Sequence, residues 1–386
     1  MKIGIVVNSS WNIYNFRLGL IESLINSGHR VVAIAPNDGY TEKIIAAGCQ
    51  YQEVEMDCKG SNPLKDLILT KNLHQIYKKQ KLDAILHYTI KPNIYGTIAA
   101  KLANIPCINN VTGLGTVFIR QNLTSRIAEM LYKISFKFPE VVFFQNEDDQ
   151  QLFVERKLVD LNITQILPGS GIDVQRFQPA PPSQNTVFNF LMIARVLYDK
   201  GILEYIEAIK ILKKEGIKAK FSLLGKIDPD KNLGVPESQV QAWVAEGLID
   251  YLSPVENVIP IIQKADCVLL PSYREGTPRT LIEAASLGKP IIATDVAGCR
   301  ETVKENVNGF LCQAKDARDL AEKMKKMLFL KPEDRLKMGE NSRKLAVKKF
   351  DQNIVFKKYK EALSKVGGEQ APVLEPRKKL QPQEII

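Results

Sequence analysis

The sequence has few of the residues on which metal-binding and disulfide-bonded proteins rely. Its 386 residues include only three histidines, and its six cysteines contain no Cys-x-x-Cys pair. A thiolate zinc site and a disulfide framework are therefore not expected, and the thiols are predicted to be single and buried in a reducing compartment. No apolar run approaches the roughly 18 residues that a membrane-spanning helix needs. Residues 1–7 are too short an apolar core for a signal peptide, so they predict a buried strand in a cytoplasmic protein.

Acidic residues are scarce in one part of the chain. The formal net charge is +10, and between positions 59 and 137 three acidic residues face twelve basic ones. Such a region suits nucleic acid, a membrane surface or a phosphorylated substrate. No zinc finger, helix-turn-helix or RNA-binding motif accompanies it, so nucleic acid is not the expected partner. A solvated basic face without a partner is the alternative.

Short apolar runs alternate with longer amphipathic stretches along both halves of the chain. In the first half, strands are predicted at residues 3–7, 31–35, 51–54, 84–87, 108–111, 141–145 and 163–167, with helices at 16–26, 40–47, 64–79 and 93–103. In the second half, strands are predicted at 187–193, 220–224, 249–252, 267–271, 291–294 and 307–311, with helices at 202–215, 236–246, 255–264, 278–287, 317–328 and 335–348. This rhythm predicts α/β architecture, with parallel sheets covered by helices on both faces.

A Pro-rich segment at residues 179–185 separates the two halves. We expect two Rossmann-like, doubly wound domains, at 1–180 and 187–349, facing each other across a cleft. A helix at 351–365 is expected to pack back on the first domain, and 367–386 is predicted to be a disordered tail. Because ligands of such sheets bind at the carboxyl ends of the strands, the cleft is the expected site.

Residues 269–302 contain a strand end, a glycine loop and a helix start. Thr277 is the predicted N-cap and Pro278 the first helical residue, so the backbone N–H groups of Gly276 and Thr277 would form an anion site. Glu275 and Glu283 flank this point at a helical separation of about 12 Å, too far apart for a glycosidase pair. They suit two different hydroxyl-bearing parts of one elongated ligand. Alone, they could be surface glutamates beside a helix cap.

Two cations follow the first strand of the second half. Arg195 offers a planar fork and Lys200 a point charge, and together they suit a diphosphate without a metal ion. As isolated residues they would be ordinary surface charges.

Three further features each have two interpretations. Asp228-Pro229-Asp230 has the Asp-x-Asp form of a metal element, but its proline and the preceding Gly225 favour a loop. His87 ends a strand and either approaches the cleft or is structural. Residues 118–138 interleave aromatic and basic side chains, which is typical of an interfacial amphipathic segment or of a buried helix with a basic edge.

Taken together, Arg195, Lys200-Gly201 and Glu275-Gly276-Thr277-Pro278-x4-Glu283 resemble, in order and spacing, glycosyltransferase family 4, whose members are retaining enzymes of the GT-B fold. The resemblance extends over most of residues 1–365. Within the family, residues 13–17, 96–106, 111–115, 131–138 and 272–276 resemble members that use polyprenyl-diphosphate-linked acceptors. The chain departs from many members in lacking a glycine-rich loop at 8–12 and a histidine at 111–115.

The resemblance implies a role for each matching position. Arg195 and Lys200 would hold the donor diphosphate, Glu275 would face the donor hexose, and Glu283 would accept the ribose hydroxyls. The other implied donor contacts are Gly225, Tyr251 and Leu252 near the nucleobase and Gly276, Thr277 and Pro278 at the phosphates. The implied cleft and acceptor residues are Asn8, Arg17, Lys91, Thr112 and Gly113. The expected membrane contacts are Arg120, Arg126, Lys133 and Lys137.

The implied activity is the metal-independent transfer of a hexose from a UDP-sugar to a polyprenyl-diphosphate-linked saccharide. The expected hexose is an N-acetylhexosamine, and the expected process is the assembly of a cell-surface polysaccharide or glycan. The UDP-sugar is a co-substrate, and no cofactor or metal ion is expected. The enzyme would bind an anionic membrane surface on the inner face of the cytoplasmic membrane. The alternatives are a UDP-N-acetylglucosamine 2-epimerase on the same scaffold and a non-catalytic sugar-nucleotide-binding subunit. Three scattered histidines disfavour the former, and the complete Arg195, Lys200, Glu275 and Glu283 set disfavours the latter.

Overall fold

The computed structural model describes residues 1–57, 62–114, 123–181, 186–230 and 232–367. Its first sheet has seven strands in the order β3-β2-β1-β4-β5-β6-β7, and all of them pair in parallel. These strands are β1 (Lys2–Val6), β2 (Arg30–Ala35), β3 (Gln50–Glu53), β4 (Ala84–Tyr88), β5 (Cys107–Val111), β6 (Val141–Phe144) and β7 (Thr164–Ile166). The order reverses between β1 and β4, so the carboxyl ends near this point are where a ligand of such a sheet binds.

Helices cover both faces of the first sheet. They are α1 (Ser10–Ile25), α2 (Thr41–Ala46), α3 (Pro63–Gln80), α4 (Thr97–Ala103), α5 (Leu123–Ser135) and α6 (Glu147–Glu155). A π-helical turn at Pro92–Gly96 precedes α4. Buried side chains of α1 and α2 join the core on one face, whereas those of α3 to α6 pack on the other. Because successive side chains of a strand point to opposite faces of the sheet, each strand contributes to the hydrophobic core on both faces.

The second sheet has six parallel strands in the order β10-β9-β8-β11-β12-β13. They are β8 (Asn189–Ile193), β9 (Lys220–Leu224), β10 (Asp250–Leu252), β11 (Cys267–Leu270), β12 (Ile291–Thr294) and β13 (Gly309–Cys312). Its helices are α7 (Ile202–Lys214), α8 (Glu237–Ala245), α9 (Ile259–Lys264), α10 (Arg279–Ser286), α11 (Ala317–Phe329) and α12 (Pro332–Leu345), which a π-helical turn at Ala346–Phe350 extends. The predicted architecture of two doubly wound parallel sheets is confirmed.

The last helix, α13 (Gln352–Gly367), returns to the first sheet. Its Val355, Phe356 and Tyr359 belong to the same core as the buried face of α1. The Tyr359 hydroxyl accepts a hydrogen bond of 2.7 Å from the amide of Asn110, near the end of β5. The chain therefore crosses from the second sheet back to the first before it ends.

The starts of two helices and the presence of a third differ from the prediction. Helix α1 begins at Ser10 rather than at residue 16, because the Ser9 hydroxyl accepts from the Asn12 N–H at 3.1 Å and caps it. Helix α9 begins at Ile259 rather than at 255, since Pro260 fits only in a first turn. Helix α6 was not predicted, because only two of its nine residues are buried and it lacks an apolar period.

Several expectations lie outside the described residues. These are Cys58, Arg120, residues 182–185 of the predicted linker at 179–185 and residues 368–386 of the predicted tail at 367–386. The five described cysteines are free and buried, which confirms that part of the thiol prediction. Among the described helices, none combines the length and the apolar character needed to cross a membrane.

His87 has a structural position. It is fully buried on β4, where its Nε2 lies 3.1 Å from the Tyr77 hydroxyl and its Nδ1 lies 3.0 Å from Asn109 Oδ1. Burial lowers the pKa of His87 to about 4, although the hydrogen bond with Asn109 opposes the shift. A neutral, fully hydrogen-bonded imidazole of this kind stabilises the core, so the structural interpretation of His87 is the one that the structure supports.

Candidate active site

The carboxyl ends of the two sheets meet at two glycines. A Cβ atom on Gly276, in the loop after β11, would lie 2.3 Å from the carbonyl oxygen of Thr112, in the loop after β5. Gly113 has a φ of +130°, and a Cβ there would lie 3.1 Å from the Gly276 nitrogen. A side chain at either position would force the loops apart, so glycine permits this backbone contact. Thr112, Gly113 and Gly276, which the sequence pattern placed in the cleft, are brought together.

Side chains around the end of β6 hold the Gly276 loop in place. The Asn146 amide donates to the Gly276 carbonyl oxygen at 2.8 Å, and the Thr277 hydroxyl donates to the Gln145 carbonyl oxygen at 2.8 Å. Arg274 forms an ion pair with Asp149, which is fully buried. The sequence pattern missed these first-domain residues, because nothing in their local sequence indicates which distant loop they contact.

The predicted N-cap of α10 is wrong. Pro278 is the N-cap and the helix begins at Arg279, because the Thr277 hydroxyl bonds to Gln145 instead of capping. The Thr277 N–H donates to Gln145 Oε1 at 3.2 Å in this structure. Its place in an anion site stays a prediction. Gly276 and Pro278 stay at the junction of the two sheets.

Lys200 and Glu275 form an ion pair beside this junction. Lys200 Nζ lies 2.6 Å from Glu275 Oε1, and both side chains are largely buried. Burial lowers the pKa of Lys200, but the Glu275 carboxylate outweighs burial and the pKa is raised overall. The next residue, Gly201, has a φ of +75°, and a Cβ there would lie 2.1 Å from the Pro271 carbonyl oxygen. The lysine that was assigned to the diphosphate and the glutamate that was assigned to the hexose therefore form one charged unit.

Arg195 projects from the end of β8. Its side chain is 63% exposed, and one terminal nitrogen lies 3.9 Å from Asp228 Oδ2. Asp228 and Asp230 lie in a loop, where Asp228 Oδ1 accepts from the Asp230 N–H at 3.0 Å. Within the described residues no group of three or more His, Cys, Asp or Glu side chains could hold a metal ion. The position of Asp-Pro-Asp supports the loop interpretation.

Glu283 lies one helical turn from an arginine that the sequence pattern missed. Arg279 Nε lies 3.1 Å from Glu283 Oε1, and the same guanidinium donates to Ser170 Oγ at 3.2 Å and to the Gly171 carbonyl oxygen. Burial raises the pKa of Glu283, and Arg279 opposes that shift. The four-residue spacing of Arg279 and Glu283 on one helix was the signal available in the sequence.

The three residues assigned to the nucleobase come together at neighbouring strand ends. The Tyr251 hydroxyl donates to the Gly225 carbonyl oxygen at 2.7 Å, and the Gly225 N–H lies 3.3 Å from the Leu252 carbonyl oxygen. A Cβ on Gly225 would lie 1.7 Å from the Ala194 carbonyl oxygen, so only glycine fits. Burial raises the pKa of the Tyr251 phenol, which stays a neutral donor at physiological pH.

The predicted acceptor residues of the first domain differ in what they offer a ligand. Asn8 follows β1 and is half-buried. Lys91 Nζ lies 2.6 Å from Asp66 Oδ1 in a largely buried pair, so its charge is already balanced. Arg17 is buried on α1, with its guanidinium 4.1 Å from the centre of the Tyr88 ring.

Helix α5 has an exposed face of mixed apolar and basic character. Its basic members are Arg126 and Lys133, and Lys137 follows in the next turn. The exposed apolar side chains on the same stretch are Ile127, Met130, Ile134 and Phe138. On the opposite side, Tyr132 of α5 and Phe136, which follows the helix, belong to the core. The amphipathic interpretation and a buried helix with a basic edge are thus both partly right, because one side packs and the other is exposed.

Two family models together match most of the chain. The model described as "Glycosyl transferases group 1" matches residues 173–345, and the model described as "Glycosyl transferase 4-like" matches residues 2–146. The first match covers the second sheet and the loops with Arg195, Glu275 and Glu283. The second covers the first sheet through β6.

Similar curated proteins act on lipid-linked sugars. The chain is 31% identical over 380 residues to the N,N'-diacetylbacillosaminyl-diphospho-undecaprenol alpha-1,3-N-acetylgalactosaminyltransferase of Campylobacter jejuni, covering 93% of this chain and 97% of that protein. It is 26% identical to the UDP-Gal:alpha-D-GlcNAc-diphosphoundecaprenol alpha-1,3-galactosyltransferase of Escherichia coli, over 67% of this chain and 70% of that one.

Solved structures share the fold. Anabaena HepE in complex with UDP-glucose superimposes with a TM-score of 0.80 at 18% identity, covering 95% of this chain and all of that one. A glycosyltransferase from Rickettsia africae gives a TM-score of 0.78 at 21% identity, covering 95% of this chain and 98% of its own. At these identities the likeness concerns the two-sheet architecture alone.

Proposed function

Because the chain belongs to the glycosyltransferases of the group 1 and 4-like families, we propose that it moves an N-acetylhexosamine from a UDP-sugar to a polyprenyl-diphosphate-linked saccharide in cell-surface polysaccharide assembly. The observation that carries the proposal is the 31% identity to the Campylobacter enzyme over 93% of the chain. The arrangement of Arg195, Lys200, Glu275 and Glu283 around one cleft supports it. The relatives are transferases by name, so the epimerase alternative is not favoured.

The donor is proposed to lie along the carboxyl ends of the second sheet. The uracil would occupy the corner formed by Gly225, Tyr251 and Leu252, and Glu283 would accept the ribose hydroxyls. Arg195, which is exposed, is free to swing from Asp228 onto a phosphate. Lys200 already lies beside Glu275, so a sugar diphosphate bound against this pair would contact a cation at its phosphate and a carboxylate at its hexose.

We propose a retaining, front-side mechanism. The acceptor hydroxyl oxygen bonds to the anomeric carbon on the face from which UDP departs, and its proton passes to the departing β-phosphate oxygen. Arg195 and Lys200 stabilise the negative charge that develops on this oxygen. Glu275, held against Lys200 at 2.6 Å, is positioned to orient the hexose rather than to attack it. The products are UDP and a glycoside with the donor configuration.

The reaction is proposed to need no metal ion, since two cations of the chain are available to neutralise the leaving group. Treating the full-length protein with EDTA is therefore expected to leave its transfer rate within about twofold. Mn²⁺ added afterwards should have no effect on the rate. Loss of activity in EDTA with recovery in Mn²⁺ would instead revive the metal interpretation of Asp228-Pro229-Asp230.

Substitutions of the two glutamates are expected to affect different quantities, the UDP affinity for Glu283 and kcat for Glu275. Glu283→Gln is expected to weaken UDP about tenfold or more, because hydrogen bonds to a charged group contribute roughly 1.5–3 kcal/mol. Glu275→Gln should leave UDP affinity nearly unchanged and lower kcat, because its proposed contact is to the hexose. Calorimetric titration with UDP checks the first effect, and steady-state rates check the second. An equal loss of UDP affinity in both variants would contradict the separate roles.

The acceptor class is tested by a transfer assay with paired substrates. UDP-N-acetylgalactosamine and UDP-galactose are each incubated with the protein and a short-chain polyprenyl-diphosphate disaccharide, and the product is analysed by mass spectrometry. A mass increase of one hexosamine, with a product that an α-specific hexosaminidase cleaves, supports the proposal. A separate incubation with UDP-N-acetylglucosamine alone tests the alternative enzyme, because epimerisation at C2 seen by NMR would support it. An inert protein that still binds UDP would support a non-catalytic subunit.

A lipid-linked acceptor requires the first domain to reach a membrane. Helix α5 is the proposed contact, on the inner face of the cytoplasmic membrane, because its exposed side combines Ile127, Met130 and Ile134 with Arg126 and Lys133. Apolar side chains enter the headgroup region while cations contact anionic lipids. Helix α3 on the same face of the sheet adds the exposed side chains Leu64, Leu67 and Ile68.

A further inference from the structure

Arg17 is a buried cation for which the described part of the chain provides no counter-charge. Its side chain comes from the sheet-facing side of α1, and only 3% of the residue is exposed. Its guanidinium stacks on the Tyr88 ring at 4.1 Å, yet Arg17 forms neither a hydrogen bond nor an ion pair with any described residue, and its Nε is a buried donor without an acceptor. A buried charge in a folded protein is normally paired, because desolvation makes an unpaired one costly.

The position of Arg17 relates it to the transfer site. Tyr88 is the last residue of β4, so the guanidinium lies at the carboxyl edge of the first sheet. The neighbouring strand β5 ends one residue before Thr112, whose carbonyl oxygen contacts Gly276 of the donor loop. The unpaired guanidinium of Arg17 thus lies at the same sheet edge as the junction of the two sheets. It is on the first-domain side of that junction, whereas the proposed donor residues are in the second domain.

We propose that Arg17 binds the diphosphate of the acceptor, an inference that rests on the proposed function. A planar guanidinium with five donors and no other acceptor matches the oxygens of a diphosphate. Two other first-domain groups that could attract an anion are already engaged: Lys91 is balanced by Asp66, and at the start of α1 the Trp11 N–H donates to the Asp38 carboxylate. Arg17 is therefore an unpaired positive charge at this edge of the described first domain.

Neutral groups near Arg17 suit the saccharide that the diphosphate carries. Asn110 donates its amide hydrogen to Tyr359, and Asn93 donates to the Asn110 carbonyl oxygen, which leaves the side-chain oxygens of both without a partner. The side-chain oxygen of Asn12 on α1 is likewise buried and unpaired. Sugar hydroxyls are donors and could satisfy these three oxygens, whereas a bare phosphate could not.

Arg17→Met tests binding without disrupting the fold, because methionine is unbranched and can fill much of the space of the arginine side chain without its charge. The probe is farnesyl diphosphate, titrated calorimetrically into the full chain with UDP in saturating amounts to fill the donor site. Arg17→Met is expected to weaken the probe at least tenfold, Arg17→Lys less, and the exposed Arg30→Met not at all. Farnesyl monophosphate should bind the wild-type protein more weakly than the diphosphate, and inorganic diphosphate should compete with it.

The change in Tm distinguishes a binding role of Arg17 from a structural one, because the two roles predict opposite changes. Removing an unpaired buried charge should leave the Tm of Arg17→Met equal to that of the wild type or raise it, with UDP affinity unchanged. A lowered Tm with unaltered diphosphate affinity would make Arg17 a packing residue and overturn the inference. If transfer to the lipid-linked acceptor proceeds with an unchanged KM in Arg17→Met, the proposed function stands and the role of Arg17 falls. A wild-type protein that transfers the sugar but binds no diphosphate probe would overturn the inference alone, whereas one that binds the probe but transfers no sugar would contradict the proposed function.

Discussion

Replacing Lys200 by alanine is expected to lower kcat/KM by roughly two to three orders of magnitude, the scale of removing one preorganised charge partner of a transition state. Lys200 is largely buried, and its Nζ lies 2.6 Å from Glu275 Oε1. In such a site a cation acts on the departing diphosphate with little screening by water. The exposed Arg195 serves the same leaving group, and Arg195→Ala is expected to lose about 2–4 kcal/mol of the same stabilisation.

The Lys200 variant also leaves Glu275 without a partner. Breaking a buried ion pair by removing one member typically lowers the free energy of unfolding by about 3–5 kcal/mol, because the other charge remains buried without a partner. The double variant Lys200→Ala with Glu275→Gln should therefore lose less activity than the sum of the single variants, which a double-mutant cycle measures. Rates are normalised to UDP-binding sites, so that unfolded protein is not counted.

A matched control is available on the next helix. Lys210, on α7, is exposed and pairs with Glu207 at 2.7 Å on the same helix. Lys210→Ala removes the same charge from the same domain and should leave kcat/KM within about twofold, because exposed pairs contribute at most about 1 kcal/mol. If Lys200→Ala behaves like this control, Lys200 takes no part in the reaction.

The strands and most helices could be predicted from the sequence because their signals are local. A parallel strand buried on both faces is a short apolar run, and the runs at 84–87, 108–111 and 291–294 lie on β4, β5 and β12. The resemblance to a family added the order of the charged residues around the donor. The first signal requires only neighbours in the sequence, and the second requires only the order and spacing of residues along it.

The contacts within the site could not be predicted, since they join residues far apart in the chain. Whether Thr277 caps its helix depends on Gln145, which is 132 positions away and accepts the Thr277 N–H. The pairing of Lys200 with Glu275 spans 75 positions. The lack of a partner for Arg17 is harder still, because a sequence cannot show that an acid is missing from a folded environment.

The exposed surface of α5 is the other place where a large effect is expected. Arg126, Lys133 and Lys137 are exposed and form no ion pair with any described residue, so their charge is available to a partner. The exposed Met130, between Arg126 and Lys133, is 56% accessible. Each cation near an anionic surface contributes on the order of 1 kcal/mol, so the three together favour binding about 150-fold.

Reversing all three charges, with Arg126→Glu, Lys133→Glu and Lys137→Glu, is therefore expected to abolish sedimentation of the protein with liposomes that contain anionic lipid. A matched control reverses the exposed Lys337, Lys344 and Lys348 in the second domain, which changes the net charge equally and should leave sedimentation intact. Hydrolysis of the UDP-sugar should persist in both variants, because the donor site lies elsewhere. Transfer to a short soluble acceptor should fall far less than transfer to the polyprenyl substrate. If the α5 variant sediments as well as the control, its basic face is only a solvated surface and the membrane contact must lie in another part of the first domain.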